Sequence, residues 1–298
     1  MRSLLRLASF VTRHPLNRDR PAQAWLRVLA WQVGSRLVPG DVAVPFVNTT
    51  RLLVRAGQTG ATGNVYCGLH EYEDMALTLH LLRADDLFVD IGANVGSYTV
   101  LAGGAVGARC MSFEPSPAAF ARLRDHVLLN DLSDRVSLHQ VALGSENGYT
   151  RFTTGLDTVN HVMASGEPGA AATVPIRRLD DILSGMTPTL IKIDVEGFEA
   201  QVLEGAAATL AAPALLAILV ELNGSATRYS GSDDAVRLKL QNAGFVPARY
   251  DVGRRAISTD ARATGAGNTL FVRAGGALEA TAARVRTAPT YDVAGRSV

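Results

Sequence analysis

Short apolar runs recur along this chain, and four of them end on an acidic side chain: Asp90, Glu114, Asp194 and Glu221. Runs of this length that are rich in β-branched and aromatic residues are typical of buried strands in a parallel sheet. In an open α/β sheet the ligand lies beyond the carboxyl ends of the strands. Four carboxylates at that edge are unfavourable unless a cation or hydroxyl groups bind among them. The pattern therefore predicts an enzyme with a positively charged cofactor.

From residue 86 onward, strand-like runs alternate with segments of helical periodicity. We predict strands near 87–90, 109–113, 135–141, 190–194 and 215–221, and helices near 95–105, 117–130, 198–210 and 232–243. Two further strands, near 245–250 and 269–272, are expected to form an antiparallel edge pair. Residues 144–178 break the alternation and are predicted to form an inserted hairpin and loop. The fold class is therefore α/β, with a doubly wound, mostly parallel seven-stranded sheet and helices on both faces.

The two ends of the chain lie outside this alternation. Residues 1–68 are predicted to form a helical and hairpin extension, with a helix over 22–37 and a Gly- and Thr-rich loop over 57–68. Residues 69–273 are expected to form the main domain. Residues 274–298 are rich in Ala, Arg and Thr without clear periodicity, and we predict that this tail is disordered.

Composition narrows the classes of partner. The 298 residues carry a net charge of +1 and show no basic stripe interleaved with aromatic residues, so nucleic acid is not an expected partner. Residues 1–55 hold nine Arg against two Asp. For this basic segment the simpler role is that of a lid or dimer element, and peripheral contact with an anionic membrane is the alternative. A homo-oligomer also stays open.

The two cysteines and the chain start bear on location. Neither Cys67 nor Cys110 has a Cys or His partner at metal-ligand spacing, so we predict no disulfide and no zinc site. The first residues carry a charge inside what would be the apolar region of a secretory signal. We therefore expect a cytoplasmic protein without a transmembrane segment.

The turn after the first sheet strand carries the strongest local signal. Gly92 and Gly96 permit positive φ and close approach of a ligand to the backbone. Asp90 stands where the dinucleotide fingerprint has its first glycine, and a carboxylate there repels a pyrophosphate and favours an ammonium group. Glu114, at the end of the next strand, is placed to accept hydrogen bonds from ribose hydroxyls. The simpler alternative is that both acids cap the helices that follow them.

Three motifs resemble the FkbM family of S-adenosylmethionine-dependent methyltransferases. They are Asp90-Ile91-Gly92-Ala93-Asn94-Val95-Gly96, Phe113-Glu114-Pro115 and Lys192-Ile193-Asp194-Val195-Glu196-Gly197. The resemblance covers about residues 70–250. It implies the Rossmann-like class I methyltransferase fold, S-adenosylmethionine as cofactor, and O-methylation of a sugar, a polysaccharide or a secondary metabolite.

The resemblance also implies roles for individual residues. The cofactor-binding set that it implies is Asp90, Gly92, Ala93, Asn94 and Gly96 at the methionine end, Glu114 at the ribose, Ala142 beside the adenine, and Asp194. Because methyl transfer from a sulfonium needs alignment and removal of the acceptor proton, we predict Asp194 as the catalytic carboxylate. Glu196 and His70 are further catalytic candidates, although an acid in the first turn of a helix, where we expect Glu196, is favourable without any catalytic role.

Three alternatives remain open at this stage. Asp194, Glu221 and Asn223 offer oxygen ligands that suit Mg²⁺, but no recognisable metal-binding loop accompanies them. A nicotinamide-dependent oxidoreductase is an alternative on a sheet of the same class, although Asp90 stands against it. A non-catalytic module that keeps the cofactor pocket is the other.

Overall fold

A computed structural model of the chain describes residues 2–37, 40–57, 61–259 and 267–298. Its helices are α1 (Arg2–Arg13), α2 (Pro21–Leu37), α3 (Thr62–Cys67), α4 (Tyr72–Leu81), α5 (Ser97–Val100), α6 (Pro117–Leu129), α7 (Leu179–Leu183), α8 (Glu199–Glu204), α9 (Ala207–Ala211), α10 (Asp233–Asn242) and α11 (Gly276–Arg286). Its strands are β1 (Val42–Pro45), β2 (Arg51–Val54), β3 (Leu87–Ile91), β4 (Arg109–Phe113), β5 (Val136–His139), β6 (Ala142–Leu143), β7 (Gly148–Thr153), β8 (Ala171–Arg177), β9 (Leu190–Ile193), β10 (Ala217–Leu222), β11 (Phe245–Asp251), β12 (Ala256–Ser258), β13 (Gly267–Arg273), β14 (Asp292–Val293) and β15 (Arg296–Ser297).

The central sheet has the order β12-β11-β13-β10-β9-β3-β4-β5. The five strands from β10 to β5 run parallel, whereas β13, β11 and β12 pair antiparallel at one edge. The doubly wound, mostly parallel architecture is therefore confirmed. Within the described residues the sheet has eight strands and not the expected seven, because the three-residue β12 is too short to leave a pattern in the sequence.

Strand order reverses between β3 and β9, which are adjacent in the sheet although about a hundred residues separate them. Chain order runs outward from β3 through β4 and β5 on one side, and through β9 and β10 on the other. This is the switch point at which open α/β sheets bind ligands. Asp90 and Asp194, the acids that end these two strands, consequently lie at the place where the crevice opens.

The core lies on both faces of the sheet, because alternate residues of each strand point to opposite sides. Phe88 and Leu190 join one apolar cluster with α2, α4 and α11, while Val89 and Ile191 join the other with α7, α8 and α10. All five residues of β3 are buried. The continuous apolar runs in the sequence are therefore strands that helices cover on both sides.

Two expected helices are shorter than their periodicity predicts. The helix expected over 95–105 is a four-residue α5 followed by a π-helical segment, Leu101–Val106, which contains two glycines. The helix expected over 198–210 divides into α8 and α9 at Gly205, where a Cβ would lie 1.9 Å from the carbonyl oxygen of Gly144. In the second case a tertiary contact with the inserted segment, which periodicity cannot show, sets the boundary.

The inserted segment forms its own sheet, as expected for a hairpin and loop. β7 pairs antiparallel with β8, and β6 pairs parallel with β8. Phe152, Val162 and Ile176 form a small cluster of buried side chains between this sheet and its loop. The insertion is thus a compact unit beside the carboxyl edge of the central sheet.

Both chain ends pack on the main core. The prediction of a disordered tail is wrong, because α11 packs on α4 with Val285 fully buried and Arg284 donates to the Leu81 carbonyl. Apolar side chains are too few in α11 to show a periodicity, and contacts distant in sequence hold it. The division into segments 1–68, 69–273 and 274–298 stays a prediction, although Trp31 of α2 belongs to the same apolar cluster as Phe88 of β3.

Three further expectations concern the first segment, the cysteines and the membrane. The hairpin is confirmed as β1 and β2, but the loop expected over 57–68 contains the helix α3, which is followed by Gly68 with a φ of 83°. Residues 58–60 of that expected loop lie outside the described residues. Cys67 and Cys110 are both buried free thiols. Among the described residues, no helix combines the length and the apolar character needed to cross a bilayer.

Gly92 has a φ of 75°, and a Cβ there would lie 1.8 Å from the carbonyl oxygen of Asp194. We expect Gly92→Ala to lower the free energy of unfolding by about 3 kcal/mol, because a left-handed alanine is strained and the end of β9 must move. Urea denaturation measures this loss. Gly148→Ala is the control, since no atom lies within 4 Å of its Cβ position. Equal changes in the two variants would contradict the argument.

Candidate active site at the switch point of the sheet

One cavity of about 290 Å³ opens at the carboxyl ends of the parallel strands. Asp90, Glu114, Asp194 and Glu221 all line it. The four acids that end separate apolar runs in the sequence therefore meet in space, as the strand-end pattern predicts. The loop of the inserted segment forms another part of the wall, through Thr158, Asn160 and Val162. The cavity thus lies between the sheet and the insertion.

Asp90 lies at the floor of the cavity and is only 1% exposed. The Thr99 hydroxyl, on α5, donates to its Oδ2 over 2.7 Å and lies 2.8 Å from the Ser112 hydroxyl. Burial raises the pKa of Asp90 to about 6, although the ammonium group of Lys192 acts in the opposite direction. Gly96 is the N-cap residue of α5, but Asp90 also accepts a hydrogen bond from the Thr99 backbone N–H, so its side chain contacts the first turn of that helix as the capping alternative expects. The hydroxyl and the backbone of Thr99 together hold the carboxylate at the cavity.

Glu114 is fixed by two backbone amides. The Asn94 N–H donates to its Oε2 and the Ser116 N–H donates to its Oε1, both over 2.8 Å. The cap of helix α6 is Ser116, whose hydroxyl accepts from Ala119 N, so Glu114 does not have the capping role that was its alternative. Burial raises the pKa of Glu114 to about 7. The turns after β3 and β4 together hold one carboxylate at the mouth of the cavity.

Lys192 brings a positive charge into this acidic site. It lies directly opposite Asp90 in the register of β3 and β9, and its Nζ donates to Asp194 Oδ2 over 2.6 Å. Nζ also lies 4.9 Å from the centroid of the Tyr98 ring, whose hydroxyl donates to Glu71 Oε2 over 2.8 Å. Burial alone would lower the pKa of Lys192, but the carboxylates of Asp194, Glu71 and Asp90 hold that pKa above its usual value. The lysine therefore stays charged.

Glu196 and Gly197 form a left-handed turn after β9, with φ values of 56° and 107°. Helix α8 begins only at Glu199, so the expectation that Glu196 lies in the first turn of a helix is wrong. Glu196 lines the cavity and accepts a long hydrogen bond, 3.5 Å, from the Asn223 side-chain amide. The helix-dipole explanation for this acid therefore falls away.

The expected oxygen-ligand set is partly assembled. One carboxylate oxygen each from Asp194, Glu196 and Glu221 lies within 4.8 Å of the others, whereas Asn223 contacts Glu196. Burial and the nearby Asp194 carboxylate raise the pKa of Glu221 to about 8. Because Lys192 already occupies Asp194 Oδ2, the acids have a counter-charge without a metal ion.

The remaining predicted residues differ in their placement. Gly92, Ala93, Asn94 and Ala142 all line the cavity with Asp90, Glu114 and Asp194. Gly96 does not: it precedes α5 with a φ of 90°, and a Cβ there would lie 2.4 Å from the Leu123 side chain. The positive φ explains the glycine, because other residues are strained in that conformation whatever space surrounds them.

His70 lines the cavity at its exposed rim. Its ring lies 5.2 Å from the Phe10 ring in an edge-on arrangement, and its backbone N–H donates to Asn64 Oδ1. A catalytic role for His70 stays a prediction. The position joins helix α1 to the edge of the site.

Sequence reasoning assigned no role to Lys192, Tyr98, Glu71 or Asn64, all of which line the cavity. A signal for Lys192 was available, since it is one of only two lysines and interrupts an apolar strand run. A buried lysine needs a carboxylate partner, and Asp194 follows two residues later on the same strand face. Tyr98 and Glu71 carry no comparable local signal, because α4 and α5 bring them together from distant parts of the chain.

The family model described as "Methyltransferase FkbM domain" matches residues 90–247, which is more than half of the chain. The chain belongs to the FkbM methyltransferase family. The matched range contains Asp90, Glu114, Asp194 and Glu221, the four acids of the cavity. The family membership lends no support to the nicotinamide-dependent alternative.

Two curated relatives illustrate the similarity. The hexuronic acid methyltransferase AglP of Haloferax volcanii is 28% identical over 141 residues, which cover 45% of this chain and 56% of the relative. The 31-O-demethyl-FK506 methyltransferase FkbM of Streptomyces tacrolimicus is 33% identical over 107 residues, which cover 36% of this chain and 40% of the relative. The chain thus spans about half the length of the curated relatives that it matches.

Among solved structures, a precorrin-6y C5,15-methyltransferase from Geobacter metallireducens is similar to this chain, with a TM-score of 0.41 and 13% identity. The similarity covers 69% of this chain and 89% of that one.

Lys192→Met tests how far the buried ammonium group supports the site. Near pH 7 we expect a loss of about 3–5 kcal/mol in the free energy of unfolding, because several carboxylates are left without their counter-charge. The loss should shrink near pH 5 as those carboxyls take up protons. Thermal or urea denaturation at the two pH values measures both effects.

The other lysine is the matched control for this variant. Lys239 donates to Glu204 over 2.7 Å, but its side chain is 33% exposed, against 5% for Lys192. Lys239→Met should therefore change the free energy of unfolding by less than about 1 kcal/mol. A similar small change in both variants would show that Lys192 is not a structural counter-charge.

Proposed function

We propose that this protein is an S-adenosylmethionine-dependent O-methyltransferase whose acceptor is a hydroxyl group of a sugar, a polysaccharide or a secondary metabolite. The observation that carries the proposal is the meeting of Asp90 and Glu114 at the cavity beside the Gly92 turn. Family membership supports the reaction class. The acceptor class is inferred from the relatives, one of which is a hexuronic acid methyltransferase.

The donor set of the cavity suits this cofactor. Among the described residues that line the cavity, six are acidic and one is a lysine: Glu71, Asp90, Glu114, Asp194, Glu196, Glu221 and Lys192. A cavity of this charge attracts an ammonium and a sulfonium group and repels the diphosphate of a dinucleotide. At Gly92 no side chain covers the backbone of the turn, and a Cβ there would meet the Asp194 carbonyl. The residues present therefore fit S-adenosylmethionine.

When bound, S-adenosylmethionine supplies a methyl group on a positively charged sulfur. In our proposal Asp90, with the turn from Gly92 to Asn94, holds the charged methionine end. Glu114 accepts hydrogen bonds from the ribose hydroxyls, for which it is already oriented by two backbone amides. Ala142 borders the adenine.

Asp194 is the proposed proton acceptor for the substrate hydroxyl. It lies at the end of β9, beside the turn proposed for the methionine end, and the ammonium group of Lys192 fixes its Oδ2. A fixed carboxylate can align the hydroxyl and accept its proton without reorganising. Glu221, whose pKa is raised to about 8, adds a second carboxyl that holds its proton near neutral pH. Glu196 and His70 line the side on which the acceptor would enter.

Two variants separate cofactor binding from turnover. Asp90→Ala should lower the affinity for S-adenosylmethionine by about a hundredfold, because a buried charge opposite the cation is lost. Asp194→Ala should retain most of the binding and lose methyl transfer by about a hundredfold or more. Calorimetry measures the binding, and transfer of labelled methyl groups into glycan and metabolite extracts measures turnover.

Asp234→Ala is the control for both variants, since that side chain is 97% exposed. Absence of any binding of S-adenosylmethionine to the unmutated protein would remove the proposal. Binding without transfer to any extract would favour the non-catalytic module. Full turnover by Asp194→Ala would exclude Asp194 as the proton acceptor.

Cofactor binding should also release protons. In the free protein burial raises the pKa of Asp90 to about 6 and that of Glu114 to about 7, so both are partly protonated near pH 6.5. A bound cation favours the ionised carboxylates, so affinity should rise as the pH is raised from about 5.5 to about 8. Calorimetry near pH 6.5 in two buffers of different ionisation enthalpy measures the release. Glu114→Gln should reduce it, and equal heats in both buffers would contradict the linkage.

A further inference from the structure

Helix α2 presents an apolar face to solvent. Four of its large apolar side chains are more than half exposed: Leu26 by 64%, Leu29 by 57%, Val33 by 56% and Leu37 by 75%. We call these four residues the α2 ridge. They recur at intervals of three, four and four residues, so they lie on one face of the helix. The opposite face, with Ala24, Val28 and Trp31, is buried in the core.

An exposed stripe of this kind is unusual on a surface helix, whose outer face is normally polar. A contiguous exposed apolar patch marks a surface that contacts a partner or a membrane. The sequence places Ala22 and Ala30 on the same face, and both are exposed. The stripe therefore runs for most of the length of α2.

Basic residues outnumber acidic ones on α2 and in the segment just before it. Arg13, Arg18, Arg20 and Arg36 are all exposed, and α2 contains no acidic residue. The acid in the preceding turn, Asp19, already forms an ion pair with Arg296. The surroundings of the ridge consequently present an excess of guanidinium groups.

A groove lies beside the ridge, between α1, α2 and α3. It has a volume of about 460 Å³, and Leu7, Phe10, Trp31 and Tyr66 contribute to its walls. Arg36 also lines this groove, and it lies next to Leu37 of the ridge. An apolar groove with a guanidinium group at its wall suits an acyl chain with an anionic headgroup.

We propose that the α2 ridge and this groove are a docking surface for an anionic lipid membrane. The apolar side chains would enter the acyl boundary while the exposed arginines contact acidic headgroups. A second copy of the chain is a poorer occupant, because two such faces bring like charges together and α2 offers no carboxylate to pair with them. Charge complementarity therefore favours the lipid surface.

The docking surface is joined to the rim of the cavity. Phe10 of α1 packs against His70, which lines the cavity. On the other side, Gln32 of α2 donates to the Tyr66 hydroxyl over 2.6 Å. Tyr66 belongs to α3, and the same helix carries Asn64, which lines the cavity. A membrane bound at the ridge would hold the cavity close to its surface. If the proposed function holds, an acceptor exposed on that surface would be within reach.

The test uses the full chain and vesicles of phosphatidylcholine, alone or with about 30% phosphatidylglycerol. We expect cosedimentation with the anionic vesicles to exceed that with neutral vesicles by about tenfold at low salt. The excess should fall at ~0.5 M NaCl, because screening weakens the arginine contacts. The assay measures no methyl transfer, so its failure is independent of the proposed function.

The double variant Leu26→Ser, Leu29→Ser should lower binding to anionic vesicles by about tenfold or more, because two inserted side chains are lost. The control is Leu128→Ser, Leu238→Ser, which removes two leucines that are 58% and 57% exposed on other helices. Circular dichroism and a thermal melt verify that both variants fold. Unchanged binding in the control supports the proposal.

Three results would overturn it. The first is that the unmutated protein sediments with neither kind of vesicle. The second is that both double variants lose binding to the same extent. The third is a lipid-free dimer that only the ridge variant dissociates in analytical ultracentrifugation, which would assign the ridge to a second copy of the chain.

Discussion

The ion pair between Lys192 and Asp194 sets the conditions for the rest of the site. It lies at the switch point of the sheet, where Lys192 is also the register partner of Asp90. Without a counter-charge, carboxylates packed at this density would stay protonated or push the strand ends apart. The ammonium group keeps them together before any ligand arrives, and a bound cation then adds to an arrangement that is already formed.

The central architecture was predictable because one pattern carries most of it. Strands buried on both faces read as continuous apolar runs, and the side chain that ends each run must lie at one edge of a parallel sheet. The parallel strands, the antiparallel pair toward one edge and the acidic cavity follow from that pattern. The positions of Asp90, Glu114 and Asp194 were thus available from the sequence, whereas their roles rest on the proposal made above.

Features set by distant contacts were not predictable. Gly205 breaks a helix because the backbone of Gly144 approaches it, and the two are about sixty residues apart. Helix α11 is ordered by α4 and by the Arg284 contacts, none of which leaves a local pattern. Gly96 lies outside the cavity lining, and its φ of 90° accounts for a glycine there without any ligand contact. For Gly205 and α11 a contact between segments decides the structure.

The separate sheet of β6, β8 and β7 has a further consequence for this fold. Its loop supplies Thr158, Asn160 and Val162 to the cavity, while the turns that hold Asp90 and Glu114 belong to the central sheet. The Tyr229 hydroxyl donates to the Val162 carbonyl and helps to anchor this loop. Changes in the length or composition of this loop would therefore reshape one wall and leave the central strands in register. Exchange of this loop is therefore a route to a differently shaped wall around strand-end carboxylates that keep their positions.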